Sequence, residues 1–312
     1  MRVELRLNNN PHCSAELENI PKSERWDLSN TPSIAVRGAG FEDGENRLTL
    51  IFKGEVIAEE EIDITNHGFV KTAELSAPLK DPKEIEVRVG DDFQEKVPTE
   101  LRRLHGTVKH FDNTVVPRPV ITTFSRMVAV GDEKGNFEIF LYGRERSIGI
   151  FDKDYSAATL ECWLNDVDLR GDVELAVRID KLEVYELDAW LAHTGVYLHF
   201  LPMSLTRISE LMKQGVSGTE VVAYPEAWPH LGKEDVKVFI NDDEVITSTF
   251  NEYDDFLGEH NGKAVSRPGY IVCIARENWK PGIIRVEISH RAQAGDKEIL
   301  ERGEGYYFGF AE

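Results

Sequence analysis

The chain reads as an all-β protein of three consecutive β-sandwich domains with one short helix near 204–214. Short apolar runs alternate with polar residues along its length, separated by Gly, Asn, Asp and Pro turn signals. This is the pattern of half-buried antiparallel strands. The best 3.6-residue period lies in "SLTRISELMKQG". The 312 residues exceed what one hydrophobic core supports, so two or three domains are expected.

Residues 1–98 make the first block, expected as an immunoglobulin-like sandwich. "RLTLIFKGEVIAEEEIDI" (47–64) places a turn at Lys53–Gly54 between two strands. "FVKTAEL" (69–75) and "EIEVRVG" (84–90) alternate strictly, with Ile85, Val87 and Val89 on one face. The step through Val97, Pro98 and Thr99 predicts a boundary. The second block, 99–187, carries strand signals at 104–109, 118–123, 126–131, 136–142, 146–151, 157–164 and 173–185. Their close spacing fits a sandwich and leaves no room for crossover helices. The third block, 188–312, is expected as a sandwich with a short helix and long loops. Ser204 or Thr206 caps that helix, Leu205, Ile208, Leu211 and Met212 form its apolar face, and Gly215 ends it. Strands are predicted again at 219–225, 235–241, 244–250, 269–275 and 283–290, and in the aromatic tail "EGYYFGFAE".

"VAVGDEKGNFEIFL" (128–141) sets charge and glycine between two apolar runs. Gly135 and Asn136 tolerate positive φ, and Asp132 can bond its own turn backbone, which predicts a β-hairpin. The cluster offers too few oxygens for calcium, which takes roughly six to eight. Together with "LHGTVKHFDNTVVPRPVITTF" and "GIFDKDYSAATL", this stretch resembles the carboxypeptidase regulatory-like domain, a transthyretin-like sandwich, over residues 103–185. The resemblance rests on Leu104, Gly106 and Val108 in the first strand, then Pro117, Pro119, Val120 and Ile121. The Asp132, Gly135, Phe137 turn and Tyr155 follow. It implies a sandwich of about seven strands serving as a non-catalytic accessory module, often on secreted proteins. Two enzyme families share the general sandwich and are not matched. The Tyr-Arg-Gly-Ser ending of hydroxyisourate hydrolases is absent, and no His-x-His pair like that of intradiol dioxygenases occurs.

Composition narrows the functions. Net charge is −20, from 36 Lys and Arg against 56 Asp and Glu. Nucleic acid and anionic membrane surfaces are repelled on average, and no basic run interleaved with aromatics occurs. No apolar run approaches the roughly 18–20 residues that span a bilayer. The N-terminal "MRVELRLNNNPHC" lacks an apolar signal core, so a cytoplasmic location is expected for the chain as given, and a secreted one if a signal was trimmed. Cys13, Cys162 and Cys273 are too far apart for a zinc knuckle or a disulfide framework, and Cys162 and Cys273 read as buried inert thiols. HExxH, GxSxG, a P-loop and a strand-linked GxGxxG are all missing. No catalytic residue, metal or cofactor is expected. His199 reads as a hydrogen-bonded core histidine.

Two stretches remain as surfaces for binding. "FNEYDDFLGEHNGKAVSRPGY" (250–270) sets Tyr253, Asp254, Asp255, Glu259 and His260 together in what reads as a long loop. Rings that stack on sugar faces beside carboxylates that accept hydroxyl hydrogen bonds suit a glycan, and paired carboxylates at the right separation hydrolyse one. "YPEAWPHLGKED" (224–235) holds Trp228 on a stiff loop, as a binding platform or as a core plug. The expected function is a non-enzymatic binding or scaffold protein with a protein or glycan partner. The alternative is a carbohydrate-active protein, glycan-binding or glycoside-hydrolysing, with its site in the C-terminal domain. Exposed edge strands are expected to permit a homo-oligomer.

Overall fold

The computed structural model describes residues 1–16, 27–99, 101–124, 127–218, 220–260 and 263–310, with side chains for all of these except 16, 27–29, 260 and 263. The protein is all-β, with β-sheets stacked in pairs.

The first sandwich contains β1 (Arg2–Asn8), β2 (Cys13–Glu16), β3 (Asp27–Asn30), β4 (Ser33–Ala39), β5 (Gly44–Phe52), β6 (Glu55–Ile64), β7 (Gly68–Glu74), β8 (Glu84–Val89) and β9 (Phe93–Pro98). Sheet β1-β4-β7 faces sheet β6-β5-β8-β9. The alternation read from sequence is realised: Ile85, Val87 and Val89 are buried with Leu48, Leu50 and Val36 in one core. Lys53 and Gly54, at φ 52° and 85°, form the two-residue turn between β5 and β6.

The second sandwich contains β10 (Leu101–His110), β11 (Val120–Thr123), β12 (Val128–Val130), β13 (Asn136–Tyr142), β14 (Arg144–Phe151), β15 (Cys162–Asp168) and β16 (Val173–Ile179). Residue 126, in a predicted strand, lies outside the described residues. The 128–141 stretch is a turn, with Asp132 Oδ1 accepting from the Lys134 and Asn136 amides at 2.9 Å. It is not a hairpin: β12 pairs with β11 while β13 pairs with β10, so the turn carries the chain from one sheet to the other. The strand predicted from 157 begins at Cys162, because residues 152–159 are taken up by turns that hydrogen-bond to each other.

The third sandwich contains β17 (Leu182–Leu191), β18 (Gly195–Ser204), α1 (Leu205–Lys213), β19 (Val236–Ile240), β20 (Asp243–Val245), β21 (Thr247–His260), β22 (Lys263–Ala275), β23 (Ile284–Ala294) and β24 (Lys297–Tyr307). Ser204 caps α1 by accepting from the Arg207 amide, and Leu205, Ile208 and Leu211 are buried. Met212 is exposed, so the apolar face is narrower than predicted. Of the strand predicted at 219–225, residue 219 lies outside the described residues, and Val221–Ala223 and Pro225–Ala227 are 3-10 turns, Pro225 lacking the donor a ladder requires. Residues 250–260 and 263–270 are not a loop: they lie on the paired strands β21 and β22, matched from Thr247↔Ile274 to His260↔Lys263, and residues 261–262 lie outside the described residues. The single run predicted over 173–185 is divided at Asp180–Lys181, where the chain leaves the second sandwich for the third.

The last two sandwiches share a sheet. Strand β24 returns to pair in parallel with β15 (Leu164↔Tyr306, Asn165↔Tyr307), making one eight-stranded sheet, β12-β11-β14-β15-β24-β23-β19-β20. Sheet β17-β18-β22-β21 covers its second half, with β17 lying over β24. The approach is close: a Cβ on Gly303 would lie 1.9 Å from the Leu182 carbonyl oxygen. Gly303→Ala is therefore expected to destabilise the protein by roughly 3 kcal/mol, read as a lowered thermal midpoint.

Candidate functional site

Where β15 meets β24, the outward faces of two sheets turn toward each other. On β15, Cys162 and Leu164 point into the second core, so Glu161 and Trp163 point out. On β17, Leu182 and Val184 point into the third core, so Glu183 and Tyr185 point out. The two outward rows enclose a cleft of about 750 Å³. Its lining includes Arg144, Arg146, Trp163, Asp166, Tyr185 and Glu186, with Asp188 and His199 at one side.

Both walls of this cleft depart from regular strand geometry. Asp166 and Glu186 have φ of 54° and 50°, a left-handed conformation that non-glycine side chains rarely adopt. At Asp166 the ladder to β14 skips one pair, with the register unchanged on either side. At Glu186 a β-bulge falls between Tyr185 and Asp188 and re-aims those side chains. Such strain persists where surrounding structure holds it, and it concentrates at ligand sites.

Polar groups of both signs occupy the cleft. The Arg144 guanidinium pairs with Asp166. Arg146 stacks over the exposed Phe124 ring at 5.5 Å. The Trp163 indole donates through Nε1 to Glu183 Oε1 at 2.6 Å, meets Tyr185 edge-on at 6.4 Å between ring centres, and lies over Gly149. Tyr307, at the base, is pushed up to about 12 by burial.

The residues singled out by sequence fall beside this cleft, and they do not converge. Pleating along β21 sends Tyr253 and Asp255 to one face and exposed Asp254 to the other, with Glu259 exposed nearer the hairpin tip. The side chain of His260 lies outside the described residues. Tyr253 hydrogen-bonds His199 Nε2 at 2.5 Å, and Asp255 accepts from Arg267 Nε at 2.7 Å. Trp228 is buried, with Arg267 over its ring at 4.3 Å and Tyr185 edge-on to it at 6.3 Å. It plugs a satellite core beneath α1. Arg267 also approaches Glu186 at 3.8 Å, so the hairpin reaches the cleft through Arg267 and His199. His199 is hydrogen-bonded as expected, but it is half-buried on the outer sheet face rather than in a core. Beyond it, two residues along each strand, Trp190 and Tyr197 stack at 5.7 Å with ring planes 12° apart. Nothing in the local sequence marks Asp166 or Glu186. Trp163 and Glu161 did carry a signal, since both sit on the polar register of an otherwise apolar strand.

No family model matches the chain, and no curated protein matches it. Among solved structures, it is similar to a provisionally assigned carbohydrate-binding protein of Bacteroides uniformis at 8% identity, covering 66% of this chain and 97% of the other, with a TM-score of 0.21. It is also similar to DUF3823 family proteins of Bacteroides ovatus (8% identity, 67% and 99% coverage, TM-score 0.20) and Parabacteroides merdae (10% identity, 66% and 98%, TM-score 0.20). At such scores nothing is carried over to this chain.

Proposed function

We propose that the protein is a non-catalytic binding protein and that the cleft between β15 and β17 holds a saccharide. The observation that carries this reading is the cleft itself, where Trp163 and Tyr185 meet between two strands kinked at Asp166 and Glu186. Aromatic rings offer apolar area with a polar edge. Arg144, Arg146 and Asn165 supply donors, and Glu186 and Asp188 supply acceptors. Sugar hydroxyls need both. The volume falls within the range of small-ligand sites. The resemblance of residues 103–185 to an accessory module points the same way. Hydrolysis lacks support: Asp166 is tied to Arg144, Glu186 faces Arg267 at 3.8 Å, Asp188 accepts from the Ala189 amide, and Glu161 and Glu183 are buried.

A thermal-shift panel of neutral and acidic oligosaccharides tests the reading, because a ligand that binds only the folded chain raises its melting temperature. A shift that disappears in a Trp163→Ala, Tyr185→Ala variant is expected. A flat panel, or a shift that survives those substitutions, overturns it. The Trp190–Tyr197 stack continues the same outer face, so Trp190→Ala is expected to weaken longer oligosaccharides by about tenfold while leaving disaccharides unchanged. Isothermal titration across chain lengths checks this.

A further inference from the structure

A second recess lies where α1, the 3-10 turns that follow it and β23 meet, and it encloses about 520 Å³. Local periodicity builds its walls. On α1, Arg207, Leu211 and Gln214 fall in one row of the helix. On β23, Arg291 and Gln293 point outward on either side of buried Ala292. Val216 and Tyr224 close the recess from the chain that follows α1.

Arg207 is the charge this recess leaves unmatched. Its side chain is half-buried, and among the described residues no carboxylate lies within ion-pair reach of it. The guanidinium donates from Nη1 to the Glu226 carbonyl oxygen at 3.3 Å and from Nη2 to His290 Nε2 at 3.4 Å. Both bonds are long and both acceptors are uncharged, since burial and the Arg207 charge push the His290 imidazole down from its ordinary value. A guanidinium carries five N–H donors, and a charge drawn out of water is ordinarily paired with its opposite. The neighbouring charges are committed elsewhere. Glu210 pairs with Lys213 at 2.7 Å and Arg291 with Glu298 at 2.7 Å. Glu226 is exposed, and it turns its carbonyl rather than its carboxylate to Arg207.

We propose that this recess is a second ligand site, and that it takes a small organic acid whose carboxylate pairs with Arg207. A planar carboxylate matches the guanidinium fork through two parallel hydrogen bonds. Gln214 and Gln293 carry amide donors on the flanking walls. Leu211, Val216 and Tyr224 give the body of the acid apolar surface to lie against. The space suits a small organic ligand and far exceeds what a bare inorganic anion fills. The site shares no residue with the cleft between β15 and β17, so it stands apart from the saccharide reading.

The test is amide NMR of the full chain titrated with benzoate at fixed ionic strength, with benzyl alcohol and inorganic sulfate as comparison probes. Shifts centred on the Leu211, Val216 and Gln293 amides are expected, half-saturated at about 1 mM. Benzyl alcohol lacks the charge and sulfate lacks the apolar body, so each is expected to bind at least about tenfold more weakly. Arg207→Gln is expected to weaken benzoate by about tenfold. Gln293→Glu brings an anion into the recess from an exposed position and is expected to do the same, which keeps the test decisive if α1 does not tolerate the loss of Arg207. Absence of benzoate binding in the recess overturns the proposal. So does equally tight binding of benzyl alcohol, or of sulfate, which would mark an adventitious ion only. Binding undiminished in Arg207→Gln, or in Gln293→Glu where Arg207→Gln unfolds, overturns it as well.

Discussion

Trp163→Ala is expected to weaken saccharide binding by roughly 30- to 100-fold, equivalent to about 2–2.7 kcal/mol. The ring lines the cleft floor and is fixed on three sides. Gly149 lies beneath it, Tyr185 meets its edge, and Glu183 takes its N–H. A ring held this way loses little conformational freedom when a ligand stacks on it, so its removal takes away contact area that cost little entropy to use. Trp163→Phe keeps a ring but loses the Nε1 donor, and is expected to lose less than tenfold. Titration calorimetry on both variants, with circular dichroism to show that each remains folded, separates stacking from the hydrogen bond. Equal losses in both would place the energy in the indole N–H instead.

Arg178→Ala is expected to produce the largest loss of stability, roughly 3–5 kcal/mol, without touching the cleft. Glu304 on β24 is 1% exposed, and Arg178 on β16 donates to it from its backbone amide at 2.7 Å, from Nε at 3.0 Å and from Nη2 at 2.7 Å. The guanidinium also covers Phe111 at 4.4 Å and reaches Glu287 at 2.7 Å. Removing it leaves Glu304 with the residue-178 backbone amide, the Tyr306 hydroxyl and a more distant Arg285 at 3.6 Å. A buried carboxylate that loses its main cation must be protonated or hydrated, and burial already biases Glu304 upward. Adding Glu304→Gln to Arg178→Ala is expected to restore part of the loss, because no buried charge then remains. Chemical denaturation of the single and double variants measures this. If Arg178→Ala costs less than about 1 kcal/mol, the cluster is not what fastens the second sandwich to β24.

The strands were legible in the sequence wherever one face is buried and the other wet. "EIEVRVG" and "FVKTAEL" show their period directly, and α1 announces itself through Ser204 and three buried apolar positions. The pairing was less visible. Gly135 marks a turn whether the flanking strands pair with each other or step to opposite sheets, and only long-range contacts decide that. The stretch from 250 reads as a loop because its charges hide a strand, β21, with both faces partly wet, so alternation alone could not reveal it. The same feature explains the candidate site. Tyr253, Asp254 and Asp255 are adjacent in sequence, yet pleating separates Asp254 from the other two. The cleft is assembled from β14, β15, β17 and β18, brought together when β24 returns to β15 from the far end of the chain. Sequence separations of this size leave no local signal.

The most direct measurement of the central claim is a crystal structure with the best oligosaccharide from the binding panel soaked in. The account predicts a sugar ring against Trp163 and Tyr185, with hydroxyls bonded to groups among Arg144, Arg146, Glu186 and Asp188. A saccharide ordered elsewhere, such as along the Asp254 face of the β21–β22 hairpin with the cleft holding only water, would contradict it.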